Sequence, residues 1–236
     1  MSSSKSRPPA WSRLLVVPFL AVCLIALAGC HSSSEPKTPE KALAAAKKTL
    51  DATSGVSINL RTDKLPDGVD GVTDATGLGT HAPAFEGKLT AVVNHLTVTV
   101  PVVSVDGNVY LKLPFTTKFV SIDPSDYGAP DPAGLMDPTG GISSWLTAAT
   151  GVKKTGQTRN GSTVLTSYTG TLPGKVVAAV IPSAKPTGQF PVTFHIDDKD
   201  QLAGADISGP FYGDMGTVDY TLTLDNYGTS KTIKKP

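Results

Sequence analysis

The sequence predicts an α+β fold in which one antiparallel sheet carries short helices on a single face, and three observations lead there. Gly and Pro are plentiful, with 23 Gly and 19 Pro in 236 residues, and they accompany many Val and Thr, whose stiff χ1 angles suit a pleated surface. The segment "LTVTVPVVSVDGNVYLKLPF" alternates apolar and polar residues around an Asp-Gly pair, the two-residue signature of a hairpin. Strand-like runs lie on both sides of a middle region with helical spacing, an order that suits helices gathered on one side of a sheet.

The first thirty residues stand apart. Lys5, Arg7 and Arg13 precede an uncharged apolar run from Leu14 to Leu27, the layout of a signal peptide. A transmembrane helix needs about 20 apolar residues, so the run is too short to be an ordinary one. Leu27-Ala28-Gly29-Cys30 follows in the form of a bacterial lipobox. Residues 1–29 are therefore expected to be removed as a lipoprotein signal peptide. Cys30 is expected to carry a diacylglycerol thioether at the head of a flexible linker over 30–37. Cys23 and Cys30 are the only cysteines, so cleavage leaves no free thiol, and disulfide, metal-thiolate and cysteine-nucleophile chemistry fall together. Two or more acyl chains anchor stably where one binds only marginally. This places the protein at the plasma membrane through its lipid anchor, on the outer face, toward the cell wall.

The formal charge of +1 becomes −2 once the three basic residues of the signal are gone, leaving 18 basic against 20 acidic. That balance excludes nucleic acid as a partner. One domain is expected over 38–236. Thr38-Pro39-Glu40 caps a helix with Leu43, Ala46 and Leu50 on one stripe and Gly55 as its close. "VSINLRT" reads as a strand, and "TGLGTH" as a turn or bulge. A turn at Asp106-Gly107 pairs Val105 with Asn108, Ser104 with Val109, Val102 with Leu111 and Val100 with Leu113. One face then carries Leu96, Val98, Val100, Val102, Val109, Leu111 and Leu113, joined by Leu89, Ala91 and Val93 from the preceding strand. Pro101 on the other parity predicts a bulge or an edge. Asp131-Pro132 starts a short helix, and Ile142, Trp145, Leu146 and Ala149 repeat at helical spacing. Polar "KKTGQTRNGS" follows, then a strand "TVLTSYTGTL", a short helix "PGKVVAAVIP" around Val177, and strands bearing Val192, Phe194, Ile196 and Val218, Tyr220, Leu222, Leu224.

Reactive groupings are scarce. His31, His81, His95 and His195 lack metal-site spacing, and no G-x-S-x-G elbow, Walker loop or dinucleotide fingerprint occurs. His195 and Asp197 share a strand face opposite Phe194 and read as a solvated pair. Asp67-Gly68, Asp106-Gly107 and Asp197-Asp198 are turn chemistry. No catalytic residue, metal or cofactor is expected. The apolar sheet face under the helices is either a plain core or the wall of a cavity, and alternation alone leaves both open.

The order of features resembles the LppX/LprA/LprF/LprG lipoproteins of mycobacteria and related actinobacteria. The likeness rests on "VVSVDGNVYLKL", "YGAPDPAGLMDPTGGISSWLTAA", "GQTRNGSTVLTSYTG", "PVTFHIDDKDQLAGADI" and "TLTLDNYGTSKTIKKP", in that order behind the lipobox. Two positions depart from the family's habit: His195 and Tyr227 stand where Trp is usual. The resemblance implies a strongly curved antiparallel half-barrel with short helices on its concave face, enclosing an apolar cavity for lipids with several acyl chains. It implies no enzyme activity. Leu89 falls at the cavity entrance, and Ala91, Val93, Val98, Val100, Val102, Leu111 and Leu113 follow along the lining by parity, with Trp145, Leu146, Val177, Phe194 and Ile196 completing it. A triacylated glycolipid, phospholipid or triacylglycerol is the expected cargo, a membrane lipid exporter the expected loading partner, and the protein itself a monomer. The alternatives are an envelope lipid esterase or acyltransferase, and a structural surface lipoprotein with a solid core.

Overall fold

The structure, a computed structural model, describes residues 37–236. Cys23, Cys30, the apolar run and all of the 30–37 linker except Lys37 lie outside the described residues. Residues 36–236 form one compact unit.

Helix α1 (Pro39–Ala52) begins as its sequence directs. The Thr38 side chain accepts from the Lys41 N–H at 3.4 Å, and Pro39 occupies the first turn, where its missing donor has no partner to lose. Ala42, Leu43, Ala46 and Leu50 are buried along one stripe. Its close differs from the expected one. Thr53, already extended, ends the helix, and Gly55 opens strand β1 (Gly55–Arg61). Glycine is needed there for close approach, because a Cβ would stand 2.8 Å from the carbonyl oxygens of both Gly79 and Thr229.

The other strands are β2 (Gly71–Thr80), β3 (Ala84–Val93), β4 (Leu96–Val105), β5 (Asn108–Leu111), β6 (Val120–Ile122), β7 (Thr150–Asn160), β8 (Thr163–Pro173), β9 (Gln189–Ile196), β10 (Leu202–Gly209) and β11 (Val218–Asp225). They form one open antiparallel sheet in the order β6-β5-β4-β3-β2-β1-β11-β10-β9-β8-β7. The sheet curves into a half-barrel, and α1, α2 (Ile142–Ala148) and α3 (Gly174–Val180) sit on its concave face. Helix α1 crosses one end of it. At the start of α1, Lys37 pairs with Asp200 in the β9–β10 turn at 2.6 Å. At its finish, the Leu50 carbonyl meets His81 of the β2–β3 turn at 2.8 Å. This is the closed end; the β3–β4 and β5–β6 turns lie at the opposite end, the mouth.

The Asp106-Gly107 turn forms with positive φ at both residues, +53° and +69°, and sets Val105 against Asn108, Ser104 against Val109 and Val102 against Leu111. The expected pairing of Val100 with Leu113 does not occur, since β5 stops at Leu111. Pro101 causes no bulge: β4 pairs with β3 in unbroken register through it. Its carbonyl accepts from Lys112 N–H at 3.1 Å, just past the end of β5, so the donor that proline lacks falls where the ladder runs out. One further expectation changes. "TGLGTH" is neither turn nor bulge but the interior of β2 and the start of its turn, with Gly77 and Gly79 making room for Phe85, Met136 and Ile58. The polar "KKTGQTRNGS" is mostly β7, an edge strand exposed at almost every position and protected by Lys153, Lys154 and Arg159.

Candidate functional site

Register carries one apolar row across eight strands. Val100, Leu89, Ala75, Leu60, Leu222, Ala205, Phe194 and Tyr168 stand side by side from β4 to β8. Neighbouring rows set Ala91 against Val98, Val93 against Leu96 and Val102 against Leu111. All these side chains share the concave face, yet its two halves are filled differently.

On the β8–β11 half the helices complete a solid core. Trp145, Leu146, Val177, Phe194 and Ile196 are each exposed by 4% or less, so these five positions, read from sequence as cavity lining, face protein here. An aromatic chain closes the mouth above them. Phe190 meets Phe211 edge-on at 4.9 Å, and Phe211 meets Tyr220 at 5.0 Å. The Tyr220 and Tyr212 hydroxyls lie 2.7 Å apart, with Tyr220 donating to the Val72 carbonyl and Val72 N–H donating to Tyr212. Burial pushes both phenols above their ordinary range, so this strut from the β10–β11 loop to β2 stays neutral.

On the β2–β6 half, cover is confined to the closed end. A 3-10 turn, Pro132–Met136, is capped by Asp131, whose carboxylate accepts from Ala133 N–H at 2.9 Å and also from the Ser104 hydroxyl of β4. Met136 lies over Gly79, and Val100 and Val102 near this turn are buried. From the Val100 row toward the mouth, Leu89, Ala91 and Val98 are only half-buried, as is Leu111 beside Val102, with Leu89 and Leu111 packing against the edge of the core. Val93 and Leu113, also expected in the lining, are 38% and 44% exposed and stand at its rim. Two hollows of about 430 and 360 Å³ lie elsewhere, between the β1–β2 and β10–β11 loops and beside Lys185 and Asp214, and polar side chains contribute to both.

The convex face holds a constellation that the sequence concealed. The Ser167 hydroxyl lies 3.1 Å from His195 Nδ1, His195 Nε2 lies 2.8 Å from the Asp206 carboxylate, and Asp206 accepts from the Thr221 hydroxyl at 2.9 Å. His195 thus pairs across strands with Asp206, while Asp197 instead accepts from Lys199 and Gln201 N–H groups of its own turn. Ser, His and Asp in line evoke acyl transfer; Ser167 and His195 are paired residues of β8 and β9, and the register shifts beside them, at Lys154/Gly156 in β7 and at Leu202/Gly204 in β10. Among the described residues, no group of three or more His, Cys, Asp or Glu could hold a metal, and no helix is long and apolar enough to cross a membrane.

An open antiparallel half-barrel with helices laid in its concavity leaves part of an apolar face uncovered, the form of a lipid-binding fold. The LppX_LprAFG lipoprotein profile matches residues 38–233, and the chain belongs to that family. Its fold is similar to LprF from Mycobacterium bovis, at 18% identity and a TM-score of 0.66 over 84% of this chain and 96% of that one. It is similar too to lipoprotein LppX from Mycobacterium tuberculosis, at 20% identity and a TM-score of 0.60 over 83% and 98%. No curated protein matches the chain by sequence.

Proposed function

We propose that the protein is a membrane-anchored carrier that binds multi-acylated lipids or glycolipids against the concave face of the sheet and moves them through the cell envelope. The observation that carries this reading is the stretch Leu89, Ala91, Val98 and Leu111, apolar, inward-facing and left half-buried where Leu222, Ala205, Phe194 and Tyr168 farther along the Leu89 row are buried. Exposing one long acyl chain to water costs on the order of 10 kcal/mol at about 0.8 kcal/mol per methylene, so a lipid crossing an aqueous space needs such a surface. Contacts there are apolar, which holds acyl chains without fixing one headgroup and lets cargo leave. Acylated Cys30 holds the carrier at the outer face of the plasma membrane beside its supply, and a membrane exporter is the candidate loading partner. The fold needs no cofactor for this task.

Lipid extraction of the purified protein followed by mass spectrometry tests the proposal. Stoichiometric multi-acyl lipid is the expected result, and reproducible absence of lipid overturns it. Leu89→Trp should lower loading while the fold persists, and Cys30→Ala should release the protein from membranes. The Ser167–His195–Asp206 row favours an esterase as the second reading; Ser167→Ala abolishing a measurable acyl-ester hydrolysis would establish it.

A further inference from the structure

The largest exposed apolar side chains of the β2–β6 half gather at the mouth. Phe115 is fully exposed, Leu96 is 67% exposed, and Leu113 and Val120 are 44% and 40% exposed. Leu96 opens β4 directly after the β3–β4 turn, Leu113 and Phe115 lie in the β5–β6 connection, and Val120 opens β6, all at the same end of the sheet. Phe115 also holds φ at +62°, a backbone region that bulky L-residues avoid. A side chain spread into solvent on a strained backbone gains nothing within the chain. The connection around it is nonetheless held in place. Phe119 packs against the convex-side cluster of Ala84, Val103, Val105, Tyr110 and Ile233, and the Thr116 hydroxyl donates to the Leu113 carbonyl at 2.8 Å.

Charge says what would cover this tip. No acidic residue occurs from Asn94 to Val105 or from Gly107 to Ile122, while Lys112 and Lys118 flank Phe115; the Asp70 carboxylate beside the β3–β4 turn is engaged by the Asn94 N–H at 3.0 Å. Apolar side chains projecting between lysines, whose stems follow the apolar surface while their ammonium groups stay in water, match the boundary between acyl chains and anionic headgroups. The geometry points to Phe115 and Leu96 as an insertion tip that seats the mouth on an anionic phospholipid surface. The apolar tip continues inward through Val93 and Leu113 to the half-buried Val98 and Leu111, so a seated mouth joins the membrane interior to the concave face without an aqueous gap. Docking of this kind does not depend on the carrier reading, because it is measured whether or not cargo is bound.

Cosedimentation of residues 31–236, which contain the whole compact unit, with vesicles of phosphatidylcholine alone or mixed with phosphatidylglycerol tests the tip. The wild-type chain should bind the mixed vesicles, and the Phe115→Ser, Leu96→Ser double variant should bind at least about tenfold more weakly. Its melting temperature should be unchanged, since both side chains are exposed. Lys118→Glu should weaken binding to mixed vesicles and leave binding to phosphatidylcholine as it was. Absence of wild-type binding overturns the proposal, as does equal binding by the double variant. Self-association that Phe115→Ser abolishes, without vesicle binding, assigns the patch to a second copy and overturns it as well. Loading from detergent micelles, read by lipid mass spectrometry, separates the two proposals. A chain that loads lipid but ignores vesicles fails only as a docking protein, and one that binds vesicles but never retains lipid fails only as a carrier.

Discussion

The two halves of the concave face are continuous in register and opposite in use. On the β8–β11 half every inward row meets a helix or the Phe190–Phe211–Tyr220 chain, and Phe194, Leu146 and Val177 are sealed. On the β2–β6 half the same rows run on to Leu89, Ala91 and Val98 with only the Pro132–Met136 turn over their closed end. At roughly 25 cal/mol per Å² of apolar surface removed from water, the first half supplies stability and the second leaves it unclaimed. The contrast teaches that alternation in a strand reports which face is apolar, whereas what lies above that face decides whether the residue is core or site.

Substitutions should separate the halves by size of effect. Phe194→Ala should cost about 3–5 kcal/mol in urea unfolding, the range of a large cavity in a packed core; a loss under about 1 kcal/mol would show that the packed half is loose. Asp131→Ala removes both the cap of the 3-10 turn and the acceptor for Ser104, and should cost about 1–3 kcal/mol while raising hydrogen exchange in β4 near Ser104. Tyr220→Phe should cost about 1 kcal/mol and raise exchange in β2 near Val72, which loses its bond, while leaving β4 near Ser104 untouched by the same measurement. Leu89→Ala should be the mildest truncation, within about 1 kcal/mol by urea unfolding, because its site is already half open; a cost like that of Phe194→Ala would erase the distinction.

The smallest effect concerns pH. Hydrogen bonds from the Ser125 hydroxyl and N–H hold the Asp123 carboxyl below its ordinary 3.8, and the Thr139 N–H and hydroxyl do the same for Asp137. A carboxyl depressed in the folded state stabilises above its ordinary value and loses that contribution as pH falls through the lower folded one. Exchange at Ser125 and Thr139 should therefore rise only below about pH 4, with the packed core unaffected.

Much of the fold was legible because local chemistry left few choices. Asp106-Gly107 suits a turn with two positive φ values, and Thr38-Pro39 and Asp131-Pro132 mark starts that capping requires. Asn94-His95 makes the same kind of turn, with φ of +50° and +65°, but histidine gives weak notice of it. Strand β7 carries no alternation because it is exposed on an edge. Parity identified the inward residues Leu89 through Leu111, yet it could not say that Trp145 and Phe194 would be sealed while Leu89 was not, since that depends on where the helices dock. The pairing of His195 with Asp206 needed cross-strand register, and Phe211 and Tyr212 reach the mouth through a loop that no periodicity describes.

The ion pair between Lys37 and Asp200 fixes where the described chain begins, at the closed end. Six residues separate Cys30 from Lys37, and the seven steps between them can reach about 25 Å at most. Strands of ten residues such as β3 and β4 extend about 34 Å. If Cys30 carries the anchor, the leash is shorter than the body it holds. So short a leash would keep the closed end near the anchoring surface and leave the reach of the mouth to the tilt of the body.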